Sequence, residues 1–147
     1  FIKILDEPAH ENDKNGRKMN EIEDVKRAAA ELVAHFGASR VSEYFQRFSE
    51  SADFIFYTHT ERLPARQAYQ DLWKSWEEEI NFKVLSCVST EQHVSLVRND
   101  VAIFSHNVCT HISTVDGLST VLERETIVFE LVNGNWLAIH EHLSPAS

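Results

Sequence analysis

The spacing of apolar residues divides the chain into two parts. In the first part they recur three and four positions apart, the period of one helix face, over residues 20–36, 41–48 and 64–79. A short apolar run at 54–57, between the second and third of these segments, predicts a strand. From residue 81 onward the apolar runs are β-rich and carry no helical period. The pattern therefore predicts three helices, interrupted by one short strand, and then a sheet.

The first helix has a start signal of its own. Asn20 followed by Glu23 resembles a capping box with Asn in place of Ser or Thr, so we expect the helix to begin near Asn20. The residues before it open with an apolar run and continue as a polar stretch. We interpret residues 1–18 as a tail or a loosely docked arm and residues 19–147 as one domain.

The second part of the chain has the pattern of an antiparallel meander. Turn signals at Asn99-Asp100, Asp116-Gly117 and Asn133-Gly134 separate its long runs. Helices that precede such a sheet bury their apolar faces by covering one side of it. We therefore predict an α+β fold in which about three N-terminal helices pack on the concave face of a curved, mostly antiparallel sheet.

Composition narrows the class of function. The 147 residues suffice for one domain with a hydrophobic core, and the net charge of −9 would repel nucleic acid. No apolar run approaches the roughly 20 residues that cross a bilayer, so we expect no membrane partner. Two cysteines, Cys87 and Cys109, are too few for a disulfide framework. We therefore expect both to be reduced thiols and the protein to be cytoplasmic. With four glycines, no phosphate-binding loop and no metal-ligand spacing, the sequence predicts no cofactor.

Three groups of residues resemble a known family. They are Ser51-Ala52-Asp53, Asn99-Asp100-Val101-Ala102, and the closing segment with Arg124-x-Thr126, Asn133-Gly134-x-Trp136 and Ile139-His140-x-His142-x-Ser144. Together they resemble the SnoaL-like branch of the nuclear transport factor 2-like superfamily. The closing segment also resembles the association domain of calcium/calmodulin-dependent protein kinase II. The resemblance implies a cone-shaped, cystatin-like α+β barrel with a cavity for a small hydrophobic ligand, in a homodimer.

The chain departs from these relatives at the cavity. Leu63-Pro64 stands before the third helix, where relatives often carry a glycine, so we expect a different cavity rim. The kinase association domain carries basic residues in its cavity, and the corresponding positions here are Val108, Ile127 and Leu143. The resemblance therefore does not extend to an anion-binding cavity.

The register of the closing hairpin decides which side chains share a face. With a two-residue turn, Val132 opposes Asn135 and each face mixes polar and apolar residues. With a three-residue turn and a glycine bulge, Glu125 opposes Glu141 and the apolar side chains are sorted to one side. Because such sorting usually sets the register, we predict the three-residue turn.

In that register Glu125 and Glu141 lie on the concave face, and His106 joins them if its own strand face is concave. Burial raises the pKa of a carboxyl, and a second carboxylate nearby raises one of the two further. Such a group suits general-base removal of a proton next to a carbonyl, with His106 or Tyr57 donating a hydrogen bond to the oxyanion. The expected pocket lining is Tyr57, Trp73, Trp76, Phe48, Phe104, Val108, Ile127, Ile139 and Leu143.

The opposite face of the hairpin carries a second polar set, which we expect at an interface with another subunit: Arg124, Thr126, His140 and His142. Two histidines alone are too few to hold a metal ion. Two hypotheses for function follow. The chain is an isomerase, cyclase or hydratase acting on a small hydrophobic ligand, or it is a non-catalytic dimerisation module. The orientation of the two glutamates distinguishes them.

Overall fold

A computed structural model describes residues 2–146, with side chains from residue 15 onward. Three helices and five strands make up the described chain. They are α1 (Ile2–Gly37), α2 (Val41–Phe45), β1 (Phe48–Ile55), α3 (Arg66–Ile80), β2 (Lys83–Arg98), β3 (Val101–Thr114), β4 (Gly117–Val132) and β5 (Asn135–Pro145). None of the described helices combines the length and the apolarity that a membrane span requires.

The strands form one curved, unclosed sheet in the order β1-β5-β4-β3-β2. The four long strands are antiparallel neighbours, and β1 adds to β5 in parallel, so the sheet is mixed. α1 packs chiefly on β2, and α3 lies near β1. The predicted α+β class is therefore confirmed.

Aromatic side chains fill the space between the helices and the sheet. Phe48, Phe54, Phe104 and Phe129 are almost fully buried on the strands. The helices face them with a cluster of rings whose neighbours meet edge to face, as aromatic pairs prefer: Phe36, Tyr44, Phe45, Tyr69 and Trp73. The core therefore lies on one face of the sheet only.

The predicted start of the first helix is wrong. α1 begins at Ile2, so Asn20 and Glu23 lie inside the helix and do not cap it. The residues around them favour a continuous helix, because Glu23 pairs with Lys26 and Asp24 pairs with Arg27 one turn later. Most side chains of residues 1–18 lie outside the described part of the structure. The expected tail or docked arm therefore stays a prediction.

The first strand starts earlier than the predicted run at 54–57, because its partner is distant in sequence. β1 begins at Phe48 and pairs in parallel with β5, with Phe48 opposite Ala138 and Asp53 opposite His140. The backbone N–H of Ala138 also donates to the carbonyl of Arg47 across 2.9 Å. This pairing ends the second helical segment at Phe45, three residues before its predicted end.

The closing hairpin has the two-residue turn, so the predicted three-residue turn is wrong. Asn133 and Gly134 both have positive φ angles, 50° and 82°, and Val132 pairs with Asn135. A bulge at Ile139 then changes the register, because Phe129 pairs with Ala138 while Val128 pairs with His140. Beyond the bulge, Glu141 therefore shares the buried face that Ala138 occupies before it.

Candidate active site

Two adjoining cavities lie between the helices and the sheet. The inner one measures about 50 Å³ and the outer one about 180 Å³. They share five lining residues, so together they form one funnel: Phe36, Tyr69, Thr110, Glu123 and Leu143. The outer cavity is lined mainly by aromatic rings, which include Phe56, Tyr57, Trp73, Trp76 and Phe82.

Three carboxyl groups converge on the inner cavity. Glu123 and Glu125 are alternate residues of β4, so their side chains project from one face of the strand. Glu141 comes from β5, where it pairs with Ile127 beyond the bulge. The exposed fraction is 9% for Glu125 and 2% for Glu141, so both acids are removed from water.

A chain of hydrogen bonds supports Glu125 from behind. His106 Nε2 lies 2.7 Å from Glu125 Oε1, and its Nδ1 lies 2.5 Å from Ser89 Oγ. Gln92 Nε2 donates to the same Ser89 oxygen across 2.9 Å. Ser89 has its own proton available for a hydrogen bond to Nδ1, and the Nε2–H of His106 can donate to Glu125. His106 is positioned to hold the Glu125 carboxylate in place.

Glu141 and Glu125 have pKa values displaced in opposite directions. Burial raises the pKa of Glu141 well above its ordinary value, and the negative charge of Glu125 raises it further. Burial also opposes ionisation of Glu125, but hydrogen bonds from Glu141 and His106 outweigh it and lower the pKa of Glu125. The two carboxyls therefore do not ionise together, and Glu141 is the one that keeps its proton to higher pH.

One oxygen of this pair lacks a partner. Glu141 Oε2 is fully buried and has no hydrogen-bond partner among the described residues. Since buried polar atoms are nearly always paired, an unpaired carboxyl oxygen in a cavity wall marks a place for a ligand group. The indole N–H of Trp73, in the wall of the outer cavity, is the second such atom in the described part of the chain.

Two tyrosines face the carboxyl pair from the helices. The hydroxyls of Tyr44 and Tyr69 lie 3.0 Å apart, and both residues line the inner cavity. Burial raises the pKa of each, and the charge of Glu141 raises both further, so both stay protonated. Their mutual hydrogen bond uses one proton, which leaves the other hydroxyl free to donate to a ligand.

Glu123 stands where the inner and outer cavities meet. Burial raises its pKa, a hydrogen bond from Tyr57 opposes the rise, and the charge of Glu125 adds to it. The same contact, together with burial, raises the pKa of Tyr57 to about 12. The sequence analysis missed Glu123, although its spacing from Glu125 is a sufficient signal that the two share a face.

Comparisons with known proteins show the family to which this chain belongs. The sequence model of a protein family, the SnoaL-like domain, matches residues 25–147. The chain belongs to the SnoaL-like domain family. No curated protein matches this SnoaL-like chain in sequence.

Solved structures show the same fold at low sequence identity. A scytalone dehydratase-like protein from Novosphingobium aromaticivorans matches with a TM-score of 0.78 and 12% identity, over 90% of this chain and 89% of its own. A ketosteroid isomerase-like protein from Erwinia carotovora gives a TM-score of 0.72 and 12% identity, over 86% of this chain and 97% of its own. A protein from Xanthomonas campestris that is similar to the calcium/calmodulin-dependent protein kinase II association domain gives a TM-score of 0.62 and 18% identity. The match covers 82% of this chain and 81% of its own.

Within the SnoaL-like fold, the residues predicted for the pocket occupy different places. Val108 and Leu143 line the inner cavity, and Tyr57, Trp73 and Trp76 line the outer one. His106 lines neither cavity and contacts Glu125 instead. The structure corrects the prediction for four residues: Phe48, Phe104 and Ile127 are packed in the core, and Ile139 lies in the bulge.

Sequence reasoning also missed Tyr44 and Tyr69 as site residues. Each belongs to the apolar face of its helix, where an aromatic ring is expected in the core. Their hydroxyl groups could have pointed to the site, because a buried tyrosine hydroxyl normally needs a hydrogen-bond partner. The sequence pattern does not tell which hydroxyl meets which group of the SnoaL-like domain.

The predicted interface residues lie on the other face of the sheet, away from the cavities. His140 Nδ1 is 2.8 Å from Asp53 Oδ1, and Arg62 contacts the second oxygen of Asp53 across 3.0 Å. These contacts lower the pKa of Asp53 although its partial burial opposes the change. Residues 15–146 contain no group of three or more side chains able to hold a metal ion.

Proposed function

We propose that this SnoaL-like domain removes water from, or isomerises, a small hydrophobic compound that carries a carbonyl group. The buried Glu125–Glu141 pair would be the proton-transfer group, with Glu141 Oε2 as the oxygen that faces the substrate. The observation that carries the proposal is this unpaired oxygen on a buried carboxyl pair whose two pKa values are displaced in opposite directions.

The pair can act as a base although Glu141 already carries a proton. As Oε2 of Glu141 takes a proton from the carbon next to the carbonyl, the proton shared with Glu125 moves onto Glu125. The electron pair of the broken C–H bond enters the enolate, whose oxygen accepts a hydrogen bond from the Tyr44–Tyr69 pair. Oε2 then gives its proton to a β-hydroxyl group, the C–O bond breaks, and water leaves. The carboxyl pair returns to its starting state.

Isomerisation needs the same base and the same hydrogen-bond donors. The proton would return to a different carbon of the enolate, and no C–O bond would break. The pKa values of Glu141 and Glu125 are displaced in opposite directions, which gives the pair one acidic and one basic member, as both reactions require. Fold neighbours that resemble a dehydratase and an isomerase support this reaction class as an analogy.

A screen of substrates tests whether the domain is an enzyme. Purified protein is incubated in D₂O with a set of aryl ketones and β-hydroxy aryl ketones, and NMR follows deuterium uptake and loss of water. We expect at least one compound to react faster than with Glu141→Gln protein. Uniform rates across the set, equal to those in buffer, would contradict the enzymatic proposal.

The uncovered face of the sheet favours a second, structural role. All helices pack on the other face, and this one exposes Val88, Ile103 and Leu122 by 56%, 40% and 49%. We propose that it forms a homodimer, with Arg124, Thr126, His140 and His142 at the interface, in the cytoplasm. A dimer with an inert cavity would be an assembly module. Sedimentation velocity should give a dimer at micromolar concentration, and a monomer at every concentration would contradict it.

A further inference from the structure

The walls of the funnel carry acidic side chains and, among the described residues, no basic ones. Three carboxyl groups line the two cavities, from Glu123, Glu125 and Glu141. No Lys, Arg or His is among the lining residues in the described part of the chain. Burial raises the pKa of Tyr44, Tyr69 and Cys87, and the nearby carboxylates raise the pKa of all three further. A carboxylate or phosphate ligand would meet repulsion throughout the funnel.

Glu123 is the carboxyl that a ligand passes first. It lines both cavities, whereas Glu125 and Glu141 line only the inner one. Its identified partner is the Tyr57 hydroxyl, which is a neutral donor. A ligand that fills the outer cavity removes water from Glu123, and a carboxylate that loses water without gaining a cation is unfavourable. A ligand that carries a positive charge would compensate for this loss and keep Glu123 ionised.

The outer cavity suits a cation for a second reason. Its aromatic walls, with Trp73, Trp76 and Phe82, present ring faces and edges to the space beside Glu123. Aromatic faces attract cations, and the attraction is greater where water is excluded. At the inner end, the buried Oε2 of Glu141 has no hydrogen-bond partner among the described residues, which is a separate indication of a functional site.

From this arrangement we infer that the ligand is a small aromatic or aliphatic compound with a protonated amine, which Glu123 binds at the junction of the two cavities. The inference deepens the proposed function, because the amine would hold the reacting carbon next to Glu141. An alkylammonium group keeps its charge at neutral pH. Glu123 would then be a specificity residue, separate from the proton-transfer pair.

Three probes of one shape test the charge preference. Benzylamine, benzyl alcohol and benzoate differ mainly in charge, and NMR titration at about pH 7 measures their binding to the full chain. We expect benzylamine to bind at least about tenfold more tightly than benzyl alcohol, and benzoate not to bind measurably. Equal or tighter binding of the alcohol or of benzoate, or no saturable binding of the amine, would overturn the inference.

Variants assign the preference to Glu123. Glu123→Gln should reduce the advantage of benzylamine over benzyl alcohol to about threefold or less, and leave benzyl alcohol binding nearly unchanged. Glu78→Gln, at an exposed position of α3, removes the same charge from the molecule and should keep the full preference. An unchanged preference in Glu123→Gln would also overturn the inference.

These results are independent of catalysis. Binding with the amine preference but without turnover would contradict the proposed function and leave the inference intact. Turnover of neutral ketones without an amine preference would support the proposed function and overturn the inference.

Discussion

The Glu141→Gln variant is expected to be more stable than the wild-type protein at neutral pH, by an amount that grows as the pH rises. Glu141 has a raised pKa in the folded state because it is buried beside the charge of Glu125. The folded chain therefore holds this proton more tightly than the unfolded chain does. Above the ordinary value of 4.5, unfolding releases the proton, so rising pH favours the unfolded state.

The size of this effect follows from the linkage between protons and folding. One proton released on unfolding lowers the free energy of unfolding by about 1.4 kcal/mol per pH unit, until the raised folded-state pKa is reached. Glutamine mimics the protonated acid, because its amide N–H can donate to Glu125 and it carries no charge. We expect the advantage of the variant over wild type to increase between about pH 5 and pH 8.

Urea unfolding followed by tryptophan fluorescence measures this difference across the pH range. Glu78→Gln serves as the control, and its curve should run parallel to that of the wild type. Glu125→Gln should have the opposite sign, because the lowered pKa of Glu125 gives a contribution that is present above 4.5 and lost in acid. Parallel wild-type and Glu141→Gln curves would mean that Glu141 ionises normally in the folded protein.

The broad architecture could be predicted because it depends on periodicity. Helical spacing before residue 81 and β-rich runs after it predict helices on one face of a sheet, and the structure has this arrangement. The parallel pairing of β1 with β5 could not be predicted in the same way. It joins Phe48 to Ala138 across a long stretch of chain, and no local pattern encodes such a contact.

The two glutamates lie on one face, as predicted, although the predicted turn is wrong. A three-residue turn also places Glu125 and Glu141 on one face. The hairpin has a two-residue turn, and the bulge at Ile139 shifts the alternation by one residue further along β5. Both devices bring Glu141 to the face of Glu125. The two arrangements differ for Trp136 and Ala138. A three-residue turn places both on the face opposite to Glu125, whereas the structure buries both.

The polar partners of the site depended on contacts between elements. His106 was predicted to reach the pocket, and the structure turns it toward Glu125 and Ser89 instead. Tyr44 and Tyr69 come from different helices, and only the packing of α2 against α3 brings their hydroxyls together. Periodicity assigns a residue to a face, but a hydrogen bond between two elements depends on their relative positions.

Loss of proton transfer in Glu141→Gln is the second large effect that we expect. Removing a general acid–base group typically reduces the rate by about 10² to 10⁴. The introduced amide would keep the shape of the side chain and its contact with Glu125, but it could neither take a proton from carbon nor return one to a leaving hydroxyl. Because the variant is expected to be more stable than wild type, unfolding could not account for the loss.

Two further variants show whether the loss is specific. Tyr69→Phe removes one hydroxyl of the donor pair while the ring stays in the core, and we expect a smaller reduction than for Glu141→Gln. Glu78→Gln should react at the wild-type rate.

The role of Glu141 is tested by the rate of water loss from the best β-hydroxy aryl ketone, measured for wild type and Glu141→Gln under identical conditions. We expect a reduction of at least about 100-fold in the variant. A variant that retains more than about a tenth of the wild-type rate would contradict the assignment of Glu141 as the group that transfers the proton.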